Sequence, residues 1–249
     1  MSSPVFKKIT RLVGRAIGDF TLIEDGDRIL CALSGGKDSW TLLYALLALQ
    51  RRAPVSYTLH AVTVDPGSGP AMTRPLEEHL AREGIPYSVI PGNIVDIIGK
   101  HLTEGTSPCA FCSRLRRGLL YTFAATHGWN KIALGHHMDD FVETLLLNLF
   151  FNSSIKGMSP HLVSDDKRNT VIRPLVYVKE ALTAEAAKNL GVPIVSCNCP
   201  LQCTVGSRRQ WAKELLARIE KDVPQAKASM LAAMGRVELR HLLVRDRAL

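Results

Sequence analysis

The chain has 249 residues, 46% of them hydrophobic, and a formal net charge of +8. That length and apolar content suffice for one well-buried α/β core with a small appendage. No apolar run approaches the ~20 residues of a membrane-spanning helix, and the N-terminus lacks a signal-peptide core, so a cytoplasmic setting with no membrane partner is the expectation.

Val5 to Phe20 sets Ile9, Leu12, Val13, Ala16, Ile17 and Phe20 at helical spacing among Lys7, Lys8, Arg11 and Arg15. This predicts a basic amphipathic helix docked on the core by its apolar stripe. Ile29 to Leu33 reads as a buried strand, and Trp40 to Leu47 as a helix. Between them stands Ser34-Gly35-Gly36-Lys37-Asp38-Ser39. A strand, a double-glycine turn and a helix start make an anion site: backbone N–H groups approach phosphate oxygens, and the helix N-terminus adds partial positive charge. The spacing is not that of a Walker loop. It resembles the PP-loop of the ATP pyrophosphatases, which implies cleavage of ATP between its α- and β-phosphates. On that resemblance Ser34 and Ser39 donate hydroxyls, and Asp38 holds Mg²⁺ against the phosphates.

Further along, Tyr57 to Val64 is a strand ending at Asp65, Ala71 to Glu83 a helix, Tyr87 to Ile90 a strand and Ile94 to His101 a weak helix. A loop from Thr103 to Pro108 is expected to deliver Cys109, followed by a helix from Ser113 to His127, a strand from Lys131 to Leu134 and a helix from Asp139 to Phe151. The alternation predicts an α/β fold, a doubly wound and mainly parallel sheet of Rossmann-like type. Such sheets bind ligands beyond the carboxyl ends of their strands, where the phosphate loop, Asp65 and the segment after Leu134 should meet. The expected boundaries are 1–20 for the N-terminal helix, 21–195 for the ATP-binding catalytic domain and 196–249 for a cysteine-containing, helical C-terminal region packed on that domain.

Six cysteines are present: Cys31, Cys109, Cys112, Cys197, Cys199 and Cys203. Cys31 lies within a strand and reads as a small core hydrophobe. Cys109 and Cys112 have the gap of a metal hairpin or a redox pair, and the downstream group does not repeat it. Spacing alone leaves three sites open: a four-thiolate zinc clip, an iron–sulfur cluster on three thiolates with one open iron, and a persulfide-carrying thiol activated by Arg114, Arg116 and Arg117.

Gly135-His136-His137-Met138-Asp139-Asp140 follows a strand and opens a helix. One aspartate would satisfy a helix cap. Two aspartates beside two histidines at a ligand-binding edge point to a Mg²⁺ ligand or an acid/base group. Basic residues cluster at Arg114–Arg117, Lys167–Arg168, Arg208–Lys213 and Arg236–Arg247. That charge suits a polyanionic partner, and RNA is the natural candidate.

Cys109-x-x-Cys112-Ser113-Arg114-Leu115-Arg116-Arg117-Gly118, Gly135-His136-His137-x-Asp139-Asp140 and Val171-Ile172-Arg173-Pro174-Leu175, with the phosphate loop, resemble the tRNA 2-thiocytidine synthetases (tRNA-cytidine(32) 2-sulfurtransferases). The resemblance runs from about Asp19 to the C-terminal region. It implies that a cytidine in the tRNA anticodon loop is flipped out, adenylated on its C2 oxygen and given sulfur in exchange, with AMP leaving. Lys37 and Mg²⁺ would stabilise the departing pyrophosphate, and adenosine would lie near Asp65, Gly135 and His136. Lys37, Asp38, Asp139, Asp140 and Arg116 are the catalytic candidates. The resemblance further implies a [4Fe–4S] cluster on Cys109, Cys112 and a third cysteine, a cysteine desulfurase as sulfur donor, and a homodimer. Here the chain departs from the family's second Cys-x-x-Cys, so the third ligand falls to Cys199 or to Cys203. Neighbouring alternatives are a 2-thiouridine-type tRNA sulfurtransferase and a non-catalytic zinc and RNA-binding protein. The cysteine set disfavours a lysidine synthetase, and the charge disfavours a small-molecule synthetase.

Overall fold

The computed structural model describes residues 3–67, 69–101, 108–195 and 208–243. The chain divides into two compact units, Met1–His137 with Ser159–Val205, and Met138–Met158 with Gly206–Leu249.

The first unit is built on a six-stranded sheet. Its strands are β1 (Asp27–Ala32), β2 (Tyr57–Asp65), β3 (Tyr87–Pro91), β4 (Lys131–Ala133), β5 (His161–Val163) and β6 (Thr170–Ile172), in the order β3-β2-β1-β4-β6-β5. The pairs β1–β2, β1–β4, β2–β3 and β4–β6 are parallel, and β5–β6 is antiparallel. The strand order reverses between β1 and β4. Such a switch point opens a crevice at the carboxyl ends of the two strands, and ligands bind there.

Helices cover the sheet. α1 (Pro4–Asp19) starts from a Ser3 cap whose hydroxyl accepts the Phe6 N–H, and it buries Val5, Phe6, Ile9, Val13 and Ala16. Lys7, Lys8 and Arg11 stay exposed, as the amphipathic pattern requires. α2 (Lys37–Gln50) is buried continuously from Ser39 to Leu46, so it lies inside the protein. α3 (Pro70–Arg82) sets His79 edge-on to Trp40. α4 (Ile94–His101) and α5 (Pro108–Thr126) pack on a cluster of Leu30, Val62, Val64, Ile90, Ile98 and Ile132. α7 (Glu180–Leu190) packs against α1 and α2.

The parallel α/β architecture and the strands and helices read up to Phe151 are present, while the loop expected from Thr103 lies outside the described residues up to its last position, Pro108, which opens α5. α5 starts five residues earlier than the helix expected from Ser113. Proline suits a first helical position, where its missing N–H has no partner to lose, so the Cys-x-x-Cys pair lies within the helix rather than ahead of it. β5, β6 and α7 were not read from the sequence. Two strands of three residues are too short to show alternation.

The second unit contains α6 (Met138–Phe151), α8 (Arg208–Asp222) and α9 (Ala226–Met234). Its apolar centre is Val142, Leu146 and Leu216, joined by Leu215, Met230 and Leu231. The unit boundary at His137 therefore falls inside the expected 21–195 domain, because α6 shares its apolar stripe with the C-terminal helices.

Candidate active site

Ser34 to Ser39 follow β1 at the switch point and close on themselves. The Ser34 N–H donates to Ser39 Oγ at 3.2 Å, the Ser39 hydroxyl donates to the Gly36 carbonyl at 2.9 Å, and the Gly36 N–H reaches Ser34 Oγ at 3.4 Å. Gly35 sits at φ +82°, in the left-handed region open to glycine. Gly36 caps α2 without a side-chain hydrogen bond, so the first-turn amides are left to an anion.

Two other segments fasten the loop. A Cβ on Gly135 would lie 3.1 Å from both Asp38 C and Ser39 N, so the turn after β4 packs directly on the start of α2. From the other side, the Val195 N–H donates to the Gly35 carbonyl at 3.0 Å, and Trp40 Nε1–H donates to the Pro193 carbonyl at 2.8 Å.

Lys37 Nζ lies 2.9 Å from Asp38 Oδ2 and 3.0 Å from Glu180 Oε1. Burial works against its charge, but the hydrogen bonds and charges of Asp38 and Glu180 together outweigh burial and raise its pKa. Asp38 Oδ1 accepts the Thr183 hydroxyl, and the buried His137 brings Nε2 to 3.8 Å from the same oxygen. Glu180 and Thr183 were not singled out from the sequence. An acid in a first helical turn is common for dipole reasons alone, so its signal was indistinguishable from ordinary helix chemistry. Asp65 ends β2 at the same sheet edge, its Oδ1 accepting the Gly67 N–H at 2.9 Å.

Asp139 and Asp140 fall in the first turn of α6, in the second unit. There Asp139 pairs with Lys227 at 2.8 Å, and Asp140 with Arg209 at 3.4 Å. Burial opposes the charge on Lys227, while Asp139 and Glu220 together raise its pKa.

Positions 109 and 112 stand three apart in α5, on one helix face. Cys112 is a half-buried free thiol. Arg116 is half-buried in the same helix, and its buried Nε has no hydrogen-bond partner. Cys197, Cys199 and Cys203 lie outside the described residues. Cys31 is fully buried, and desolvation pushes its thiol up to about 12, as expected of a core residue. A cleft of about 860 Å³ opens at the opposite sheet edge between Phe6, Tyr44, Thr58, Pro86 and Trp129. None of the motif residues lines it.

The PP-loop domain family matches residues 2–196. A tRNA-cytidine(32) 2-sulfurtransferase from Syntrophotalea carbinolica is 49% identical over 96% of this chain and 92% of its own length. One from Geobacter metallireducens is 48% identical over 97% of this chain and 94% of its own. Among solved structures, the U34-tRNA thiolase NcsA from Methanococcus maripaludis, with its [4Fe–4S] cluster, matches with a TM-score of 0.76 at 23% identity, covering 98% of this chain and 82% of that one. It supports the fold. The chain thus belongs to the PP-loop proteins and, among them, to the tRNA-cytidine(32) 2-sulfurtransferase family.

Proposed function

We propose that this chain is an ATP-dependent tRNA sulfurtransferase that exchanges the C2 oxygen of cytidine 32 for sulfur. The observation that carries the reading is the closed Ser34–Ser39 cradle at the β1/β4 switch point, in a chain 49% identical to a protein named for that reaction.

The first-turn amides of α2 and the Lys37 ammonium receive the phosphates and take up the charge that develops on pyrophosphate as it leaves. Asp65, Gly135 and His136 border the space for adenosine. Asp38 and Glu180 offer carboxylate oxygens of the kind Mg²⁺ requires, and both already face one cation at about 3 Å. They are the residues that would hold Mg²⁺. Asp139 and Asp140, which meet Lys227 and Arg209 within the second unit, are acid/base groups in this reading on the strength of their motif alone.

Cys109 and Cys112, on one face of α5, suit two thiolate ligands of a [4Fe–4S] cluster, with Cys199 or Cys203 as the third. Bound there, the cluster would supply an iron without a thiolate for carrying sulfur. Arg116 follows Cys112 by four residues on the same helix and provides positive charge beside the thiolates. A cysteine desulfurase as donor, a homodimer and a cytoplasmic location belong to the same reading.

Nucleoside mass spectrometry of tRNA tests it. Cells lacking the gene should lose 2-thiocytidine and regain it with the wild-type chain but not with Lys37→Ala. An unchanged 2-thiocytidine level in the deletion strain overturns the assignment.

A further inference from the structure

A buried ion without a counter-charge is strongly unfavourable, so each one in a folded chain calls for a cause. Among the described residues, the buried ions Asp27, Lys131, Asp139 and Glu143 each meet an opposite charge: Asp27 with Lys131 at 2.7 Å, Asp139 with Lys227 at 2.8 Å and Glu143 with the exposed Arg209 at 3.0 Å. Arg173 breaks the pattern. It follows β6 at the carboxyl edge of the sheet and is only 9% exposed. Nη1 donates to the Ser159 carbonyl at 2.6 Å, while the buried Nε has no hydrogen-bond partner. No described carboxylate forms an ion pair with it.

A second cation acts on it instead. Burial lowers the Arg173 pKa, Tyr121 opposes that, and the charge of Arg117 lowers it further. Arg117 is exposed on α5, and Arg116 beside it also keeps an unpartnered, buried Nε. No acid among the described residues offsets the Arg173 charge, and the charge of Arg117 on α5 adds to it. An anion would supply both the missing charge and the missing acceptors, and phosphate matches the planar guanidinium fork in geometry.

We propose that Arg173 and Arg117 form a phosphate site for the RNA backbone, one that orients the tRNA on the carboxyl edge of the sheet. The choice of RNA phosphate over the nucleotide's rests on position. β6 lies two strands from β1, roughly 10 Å across the sheet, and the nucleotide phosphates have their own cradle there. Arg114 and Arg117, both exposed on α5, continue the cationic surface outward. The inference rests on the thiolation reading.

The test uses the full-length protein and the variants Arg173→Gln, Arg173→Lys and Arg117→Gln. Without ligand, Arg173→Gln should melt at or above the wild-type temperature, since an uncompensated buried charge is gone. Inorganic phosphate should raise the melting temperature of Arg173→Gln by less than that of the wild type, the remainder coming from the intact Ser34–Ser39 cradle. Affinity for transcribed tRNA should fall roughly tenfold, and the salt slope should shrink by roughly 0.7 to 0.9. Affinity for a non-hydrolysable ATP analogue should stay the same. Arg117→Gln, at an exposed position, should give the same slope change without disturbing the fold, and Arg173→Lys should recover part of the phosphate response.

A lower melting temperature for Arg173→Gln, with full phosphate stabilisation and an unchanged tRNA slope, would make Arg173 purely structural and overturn the proposal. Lost ATP-analogue affinity with intact tRNA affinity would assign the site to the nucleotide and overturn the RNA source. Failure of the wild-type protein to bind tRNA would defeat the thiolation reading itself, and this inference with it.

Discussion

Glu180, at the start of α7, holds the ammonium of Lys37 at 3.0 Å while Asp38 holds it at 2.9 Å. A helix distant in sequence therefore sets where the phosphate loop's lysine points. The raised Lys37 pKa fixes the sign of a pH effect. The pairing is fully present below the unfolded value, about 10.4, and is lost as pH rises through the folded one. Pyrophosphate release should show no break from Lys37 near neutrality. Lys37→Ala and Asp38→Ala should abolish release while leaving iron content intact. Glu180→Gln should move the alkaline limb of the rate profile to lower pH. An unmoved limb would remove Glu180 from the site.

Gly135 has no room for a side chain, because the neighbours of its missing Cβ are backbone atoms of Asp38 and Ser39. Backbone cannot rotate away as a side chain can. Gly135→Ala should cost about 1–3 kcal/mol in stability and should weaken ATP binding more than that destabilisation explains. Thermal melting with and without nucleotide separates the two effects. Equal shifts in both conditions would mean the close approach is structural only.

The cysteines divide by environment. Cys109→Ala, Cys112→Ala and one of Cys199→Ala and Cys203→Ala should each lose the visible thiolate-to-iron absorbance of anaerobically reconstituted protein. Cys31→Ala should keep it, and the native Cys31 thiol, pushed up to about 12, should resist alkylation at neutral pH. Stoichiometric zinc without iron after anaerobic preparation would rule out the cluster.

α1 provides an electrostatic control. Its apolar stripe is buried and its Lys7, Lys8 and Arg11 are exposed, as a docked surface helix requires. Replacing those three with Gln should leave the salt slope of tRNA binding unchanged. Replacing Arg114 and Arg117 should lower the slope by roughly 0.7 to 0.9 for each phosphate that these arginines grip. A drop from the α1 variant would move the RNA footprint onto that helix.

Much of this site is written locally in the chain. The loop from Ser34 to Ser39 carries its glycines, its lysine and its helix start within a few residues, so both its place after a strand and its anion chemistry could be read directly. Gly135 likewise sat in a motif next to a strand end, although its approach to Ser39 needed the fold. Glu180, Thr183 and Val195 were not legible, because each acts on the phosphate loop from about 140 residues or more away in sequence, as with Glu180 on Lys37 and Thr183 on Asp38. Local pattern cannot encode such a meeting. β5 and β6 were missed for the opposite reason, being too short to repeat. Arg173 was visible only as part of a motif, since its lack of a counter-charge is a property of its surroundings.

Glu143 is 1% exposed and is neutralised by Arg209 at 3.0 Å and Lys213 at 3.9 Å. Both cations lie on α8, more than sixty residues downstream. The C-terminal helices are therefore not a detachable module. A chain stopped before Arg208 would leave α6 with its Val142–Leu146 stripe bare and a carboxylate without its cations, and such a truncation should express as an aggregating, protease-sensitive product. Glu143→Gln in the shortened chain should relieve only the charge part of that damage, because the apolar stripe would still lack its cover.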